Sequence, residues 1–177
     1  MRPRRKVTQV EHKITDNFLE EEDFIQIKKL MIESASFPWF LNRRIIYGDD
    51  PEGMNFQFTH TFFNNWKWQS DYTNSIAPLL DKINPKAWLR IKANLGPVAN
   101  EIKEQGHHVD YEFPCTTAVF YLNTNNGYTI FEDGTKVESV ANRLVEFDSF
   151  HKHSGTTHTD TAVRSVINLN YFKEGGR

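Results

Sequence analysis

The chain has 177 residues and a mass of 20.7 kDa, with 38% apolar and 14% aromatic residues, which suits one well-cored domain and excludes a disordered chain. Its formal net charge of −2 gives no general attraction to nucleic acids or membranes, and neither is expected as a partner. The single cysteine, Cys115, excludes an internal disulfide, and no segment approaches the length of a membrane span, so a soluble cytoplasmic protein is expected.

The N-terminal half is predicted to mix helices and strands. The basic start MRPRRK is interpreted as a solvated tail. Residues 15–34, TDNFLEEEDFIQIKKLMIES, have apolar positions at a spacing near 3.6 and acidic residues before the lysines. This pattern predicts a helix with Asp16 as its N-cap. Residues 70–83, SDYTNSIAPLLDKI, predict a second helix, in which Pro78 marks either a kink or a first-turn position.

Extended segments are predicted on both sides of the second helix. Residues 37–63 indicate short extended pieces around a GDDPEG turn. Residues 87–95, AWLRIKANL, alternate as a strand, which places four side chains on one face: Trp88, Arg90, Lys92 and Asn94. We expect the segments 42–56 (NRRIIYGDDPEGMNF) and 60–73 (HTFFNNWKWQSDYT) to form a substrate mouth, with Trp66 and Trp68 as candidates, although covering the core is an equally good interpretation.

The second half is predicted to be β-sheet. Short β-branched and aromatic runs alternate with turn sequences: TTAVFYLN, YTIFEDG, TKVESVA, RLVEFDS and RSVINLNYF. The predicted fold is mostly β with supporting helices, in which the front helices pack on a β-sandwich. We predict one domain over residues 1–177, with a helix-and-strand buttress at 1–105 and the core strands at 106–173.

A possible metal site lies in GHHVDYEFPCTTAVFYLN. On an extended segment, His108 and Asp110 point to the same face and His107 to the other. Such a pair predicts either two ligands of a metal site or an acid–base pair. A third ligand is available downstream from His151, His153 or His158. Two imidazoles and one carboxylate form the facial triad of non-haem Fe(II), which leaves coordination positions open for a co-substrate and O₂.

From His108 onward, about 70 residues resemble the 2-oxoglutarate/Fe(II)-dependent dioxygenases, especially their prolyl-4-hydroxylase-like branch. The resemblance lies in motifs that occur in the family's order: HVD, FYLN, NGYTIF, VEFDS, HSG and RSVINLNYF. It implies a double-stranded β-helix (jelly-roll, cupin-like) core, with Fe(II) as the metal and 2-oxoglutarate and O₂ as co-substrates. The implied reaction hydroxylates a C–H bond of a peptidyl prolyl residue, another side chain or a small molecule, with release of succinate and CO₂.

The resemblance also implies roles for individual residues. His108, Asp110 and His153 are the implied iron ligands, and His153 is preferred because it lies 11 positions before Arg164 and precedes Ser154-Gly155, as in the family. Arg164 is the implied partner of the distal carboxylate of 2-oxoglutarate, which a guanidinium binds through two parallel hydrogen bonds. Three further residues are implied in co-substrate binding: Tyr121, Asn94 and Thr129.

Some positions depart from the family pattern. The turn glycines are Asn126-Gly127 here, and Asn168 and Asn170 share the face of Arg164, where they either contact substrate or pair with neighbouring strands. Asn170 also stands where nucleic-acid demethylases of the family carry a second arginine, which counts against that branch. Two alternatives stay open, a non-catalytic jelly-roll module that binds metal or 2-oxoglutarate, and a cupin-type isomerase or hydrolase.

Overall fold

The computed structural model describes residues 10–43 and 56–173. The basic start MRPRRK, the whole predicted GDDPEG turn (48–53) and most of the segment 42–56 lie outside these ranges. Within them, the strands are β1 (His12–Thr15), β2 (Phe40–Asn42), β3 (Gln57–Asn64), β4 (Lys67–Trp68), β5 (Ala87–Pro97), β6 (Thr116–Tyr121), β7 (Tyr128–Phe131), β8 (Lys136–Glu138), β9 (Arg143–Asp148), β10 (His153–Gly155) and β11 (Val163–Phe172). The helices are α1 (Glu21–Lys28) and α2 (Ala77–Ile83).

The strands form two antiparallel sheets. The major sheet has the order β1-β9-β6-β11-β5-β3-β2, with β4 paired to β3, and the minor sheet has the order β10-β7-β8. This is the predicted β-rich architecture with few helices. Strand β5 lies before residue 105 and pairs with both β3 and β11, so the major sheet includes strands from both predicted segments, 1–105 and 106–173.

Alternation along the central strands separates two apolar clusters. Ala118 and Phe120 of β6 face outward and pack with the helices, whereas Val119 and Tyr121 face inward between the sheets. The outer cluster includes helical side chains from both helices: Phe24, Ile27, Met31 (in the π-turn Lys29–Glu33 that follows α1) and Leu79. The helices therefore cover one face of the major sheet and leave the other face for the interior of the sandwich.

The first helix is shorter than its periodicity predicts. It begins at Glu21, with Glu20 at the N-cap, because residues 12–15 pair with β9 as a strand. Asp16 is therefore not the helix cap, and the prediction is wrong. Its carboxylate accepts a hydrogen bond from Nη2 of Arg143 at 3.0 Å instead. Pro78 occupies the first turn of α2, where a missing backbone N–H costs nothing.

Candidate metal and co-substrate site

Three side chains that could bind a metal ion converge on a cavity between the two sheets. One ligand atom from each of His108, Asp110 and His153 lies within 4.8 Å of the other two. His108 precedes β6 and forms an isolated β-bridge with His153 of β10, with backbone hydrogen bonds of 3.0 Å in both directions. The bridge holds the imidazoles side by side, with ring centroids 4.8 Å apart.

Backbone carbonyls fix the tautomers of both histidines. Nδ1 of His108 donates to the carbonyl of Gly106, and Nδ1 of His153 donates to that of His151, each at 3.2 Å. The lone pair on each Nε2 therefore remains available for a metal. Burial lowers the pKa of His153 to about 4, against a smaller opposing effect of Asp110, so this imidazole is neutral at pH 7.

Asp110 is ionised despite its burial. Nη2 of Arg90 lies 2.8 Å from its Oδ1, and Nδ2 of Asn170 donates to its Oδ2 at 3.0 Å. Burial raises the pKa of this carboxyl, but the charge of Arg90, together with His153 and Asn170, outweighs it and lowers the pKa to about 2. Asp110 and His153 are thus both in the deprotonated form that metal binding requires.

Asn170 has a different position from the one expected of a substrate-contacting residue. Its side chain is fully buried, and besides Asp110 it donates to Oγ1 of Thr117 at 3.1 Å and accepts from Nε of Arg90 at 3.1 Å. The prediction that it faces substrate is therefore not supported by the geometry. Asn170 and Arg90 together orient the carboxylate of Asp110.

Asn170→Ala is expected to weaken metal binding by about 10- to 100-fold, the usual cost of losing a partner behind a metal ligand. The measurement is a titration with Fe(II), or with Mn(II) as an air-stable substitute, under anaerobic conditions. Asn168→Ala is the matched control, since Asn168 lies on the same strand and face and makes no hydrogen bond to Asp110. Equal metal affinity in the two variants would contradict an orienting role for Asn170.

Arg164 lies farther along the same cavity wall, at the start of β11. Its Nε donates to Oγ of Ser139 at 3.0 Å, and its guanidinium lies 5.8 Å from the ring centroid of Tyr121. It forms no ion pair with a carboxylate among the described residues, and burial lowers its pKa. Gly127 permits this placement, because a Cβ there would lie 2.9 Å from Cδ of Arg164.

Tyr121 and Thr129 lie beneath Arg164. The hydroxyl of Tyr121 donates to Oγ1 of Thr129 at 2.7 Å, and Thr129 lines the cavity. Since Thr129 accepts this bond, its own hydroxyl hydrogen is free to point to a ligand. Tyr121 is fully buried and does not line the cavity, and its hydroxyl reaches the cavity wall only through the hydrogen bond to Thr129.

The other predicted residues are placed as follows. Asn94 and Asn168 line the cavity, and the side-chain Oδ1 of each is buried without a hydrogen-bond partner. Neither His151 nor His158 belongs to the metal cluster, and Nε2 of His158 donates to the carbonyl of Thr161 at 3.0 Å. These positions favour His153 among the three histidines that the sequence offers.

The two candidate substrate-mouth tryptophans are exposed. Trp66 and Trp68 lie at the β3–β4 hairpin with 70% and 50% of their surface accessible, and neither lines the cavity. The ring of Trp68 packs on that of Phe63 at a centroid distance of 4.8 Å. The alternative interpretation, that they cover the core, fits Trp68 in part.

Arg90 is a residue of the site whose role the sequence did not predict. Alternation placed it on the correct face of β5, but nothing in the sequence indicated its ion pair with Asp110.

Solved structures resemble this chain in fold. An oxidoreductase of the 2OG-Fe(II) oxygenase family from Burkholderia pseudomallei matches at 12% identity and a TM-score of 0.67, over 90% of this chain and 84% of that one. A Trichoplax adhaerens prolyl hydroxylase, solved with a hypoxia inducible factor peptide, matches at 16% identity and a TM-score of 0.63, over 92% and 84%. The chain has the fold of the 2OG-Fe(II) oxygenases.

The same oxygenase fold carries more than one reaction. The alpha-ketoglutarate-dependent epimerase SnoN from nogalamycin biosynthesis matches at 12% identity and a TM-score of 0.64, over 93% of this chain and 78% of that one. No family model matches the sequence, and no curated protein matches it either. The likeness is therefore one of fold, and the residues of the site must carry the functional argument.

The residues of this oxygenase fold fit iron and 2-oxoglutarate by their donor chemistry. Two neutral imidazoles and one carboxylate are the donor set of non-haem Fe(II) sites with open positions. The guanidinium of Arg164, which has no acidic partner within the described ranges, and the hydroxyl of Thr129 suit a carboxylate. Asn94 adds a polar amide to the same wall, with a buried oxygen that lacks a protein partner.

Proposed function

We propose that this protein is an Fe(II)- and 2-oxoglutarate-dependent dioxygenase that hydroxylates a C–H bond of its substrate. The proposal rests on one observation, that two half-sites line the same cavity. The metal half-site is the His108–Asp110–His153 cluster, and the co-substrate half-site is Arg164, which has no acidic partner among the described residues. Overall, one atom of O₂ enters the new hydroxyl group and the other enters succinate. The four electrons come in equal parts from the C–H bond and from the decarboxylation of 2-oxoglutarate.

The protein's own residues bind and orient. His108, Asp110 and His153 would hold the iron, with Arg90 and Asn170 fixing the carboxylate of Asp110. Iron bound there, with 2-oxoglutarate and O₂, would supply the oxidising power that amino-acid side chains lack. Arg164 would bind the distal carboxylate of the co-substrate, supported by Thr129 and through it by Tyr121, and Asn94 would contact the same molecule.

The substrate is a peptide or a small molecule in this proposal. A peptidyl prolyl residue would parallel the Trichoplax enzyme, whose structure contains a peptide. Nucleic acid is not proposed as a substrate, because Asn170 is engaged with Asp110 where the demethylase branch carries an arginine. No helix among the described residues is long and apolar enough to cross a membrane, and a cytoplasmic location stays a prediction.

Purified wild-type protein with Fe(II), O₂ and 2-oxoglutarate is expected to form succinate slowly even without substrate, and His108→Ala should abolish this turnover. Succinate is measured by mass spectrometry. His107→Ala is the matched control, since His107 is the adjacent histidine and lies outside the metal cluster. A wild-type protein that neither binds nor consumes 2-oxoglutarate would disprove the proposal, and binding without succinate would indicate the non-catalytic module.

A further inference from the structure

The cavity between the sheets has more positive charge than the proposed iron and co-substrate require. Among the described residues its wall carries four cationic side chains, Arg43, Arg90, Lys92 and Arg164, and the single carboxylate of Asp110. Iron(II) and the 2-oxoglutarate dianion carry equal and opposite charges, so their binding does not change this excess. The chain as a whole has a net charge of −2, which makes the excess a local property of the cavity.

Lys92 is the interior cation without an assigned partner. Arg90 is paired with Asp110, Arg164 is assigned to the co-substrate, and Arg43 is exposed at the mouth. Lys92 lies half-buried in the middle of β5 and makes no hydrogen bond or ion pair within the described part of the chain. Burial and, to a smaller extent, Arg90 lower its pKa, against an opposing effect of Asp110, and a bound anion would relieve this unfavourable burial.

Asn168 places a hydrogen-bond acceptor beside Lys92. The two residues are directly opposite each other in the pairing of β5 with β11, and both line the cavity. Oδ1 of Asn168 is buried and has no hydrogen-bond partner among the residues that the structure describes, a state that costs free energy unless a ligand supplies a donor. Lys92, which carries an ammonium group, and Asn168, which carries an amide oxygen, are neighbours on adjacent strands. Together they match a molecule that has a carboxylate next to an N–H or O–H group.

The cavity has room for such a molecule besides the co-substrate. Its volume is about 700 Å³, within the range that holds drug-sized ligands, whereas 2-oxoglutarate has only five carbons. Lys92 and Asn168 lie on β5 and β11 between two other pairs of the same ladder, the Arg90–Asn170 pair beside Asp110 and the Asn94–Val166 pair nearer Arg164. They therefore lie next to the metal cluster without belonging to either half-site.

We propose that the substrate is a small carboxylic acid with a neighbouring N–H or O–H donor, the chemistry of a free α-amino or α-hydroxy acid. Its carboxylate binds Nζ of Lys92 and its donor group binds Oδ1 of Asn168. The inference rests on the proposed dioxygenase function and narrows its substrate class. The backbone of an internal peptide segment is uncharged and has no carboxylate to pair with Lys92, so the observations favour the small acid.

The test uses the iron-loaded enzyme with 2-oxoglutarate and a panel of free L-α-amino acids and their 2-hydroxy analogues. Each acid is compared with its carboxamide, and a proline peptide with both ends blocked forms a separate arm. Products that gain one oxygen atom are identified by mass spectrometry, together with succinate. We expect at least one acid to be hydroxylated and to raise succinate formation above the substrate-free rate, and its carboxamide to be at least about tenfold poorer.

Lys92→Met is expected to raise the KM for that acid by about 10- to 100-fold, the effect of losing a hydrogen bond to a charged group. Lys86→Met is the matched control, because Lys86 is exposed and directly precedes β5. Carboxamides as good as the acids, hydroxylation of the blocked peptide, or no hydroxylated acid would each overturn the inference. Substrate-free succinate formation by the wild type separates these results from failure of the proposed function, which would abolish that formation too.

Discussion

Asp110→Ala is expected to abolish succinate formation and to lower the affinity for Fe(II) by more than about 100-fold. This loss exceeds the roughly 10- to 100-fold that is usual when a residue hydrogen bonded to a metal ligand is removed. The substitution removes the only carboxylate of the cluster and leaves the charge of Arg90 without its partner. Breaking a fully buried ion pair costs about 3–5 kcal/mol, and the partial exposure of Arg90 places the expected loss at about 2–3 kcal/mol of unfolding free energy. Metal titration and chemical denaturation measure the two effects.

A double variant separates the loss of the metal from the loss of stability. Arg90→Met combined with Asp110→Ala removes both charges, so it should recover much of the stability while remaining unable to bind iron. A double variant that regained turnover would show that Asp110 is not a ligand. An Asp110→Ala protein with wild-type metal affinity would contradict the site directly.

Arg164→Met is expected to raise the KM for 2-oxoglutarate by about 10- to 100-fold while leaving Fe(II) affinity close to that of the wild type. In the proposed function the guanidinium would form hydrogen bonds to the charged carboxylate of 2-oxoglutarate, each worth about 1.5–3 kcal/mol, and Arg164 is not part of the His108–Asp110–His153 cluster. The measurement is succinate formation as a function of 2-oxoglutarate concentration. Arg164→Lys should recover part of the affinity, since it keeps the charge and loses the fork geometry.

Arg143→Met provides the control for removing an arginine. Arg143 lies on β9, where it is hydrogen bonded to the exposed Asp16, and it does not line the cavity. A surface pair of this kind contributes about 0–1 kcal/mol to the free energy of unfolding, so the variant should still fold. Because Arg143 lies outside the cavity, the KM for 2-oxoglutarate should not change. An unchanged KM in Arg164→Met would contradict its assignment to the co-substrate.

Local patterns were sufficient to predict many of the strands and the shared face of His108 and Asp110, whereas the choice of His153 came from the family resemblance. Alternation placed Trp88, Arg90, Lys92 and Asn94 on one face of β5, and the structure has the last three on the cavity wall. Trp88 instead packs with the outer cluster, because the pairing of β5 with β11 shifts register between Asn170 and Tyr171. The two-residue spacing of His108 and Asp110 predicted a shared face, and the structure brings them together with His153. Each of these predictions depends on one strand at a time, whose geometry follows directly from the sequence.

Predictions that needed the pairing between distant strands were less successful. The role of Asn170 depends on its position opposite Arg90 and Thr117, on two other strands, and alternation alone gave only its face. Asp16 was predicted to begin the first helix because the sequence does not reveal that residues 12–15 add to the edge of β9. The place of β5 between β3 and β11 likewise depends on pairing with strands that are distant in the chain.

The alternation of β5 has a consequence for how this protein could change over evolution. Its inward side chains are assigned separate tasks, Arg90 to the carboxylate of Asp110, Lys92 to the substrate and Asn94 to the co-substrate. The proposed iron ligands lie on other segments, so replacing Lys92 could change substrate selectivity without altering the metal site. A slip of the strand by one residue would instead turn all three side chains outward at once. Single side chains of β5 can therefore change during evolution as long as the pairing with β3 and β11 maintains the register of the strand.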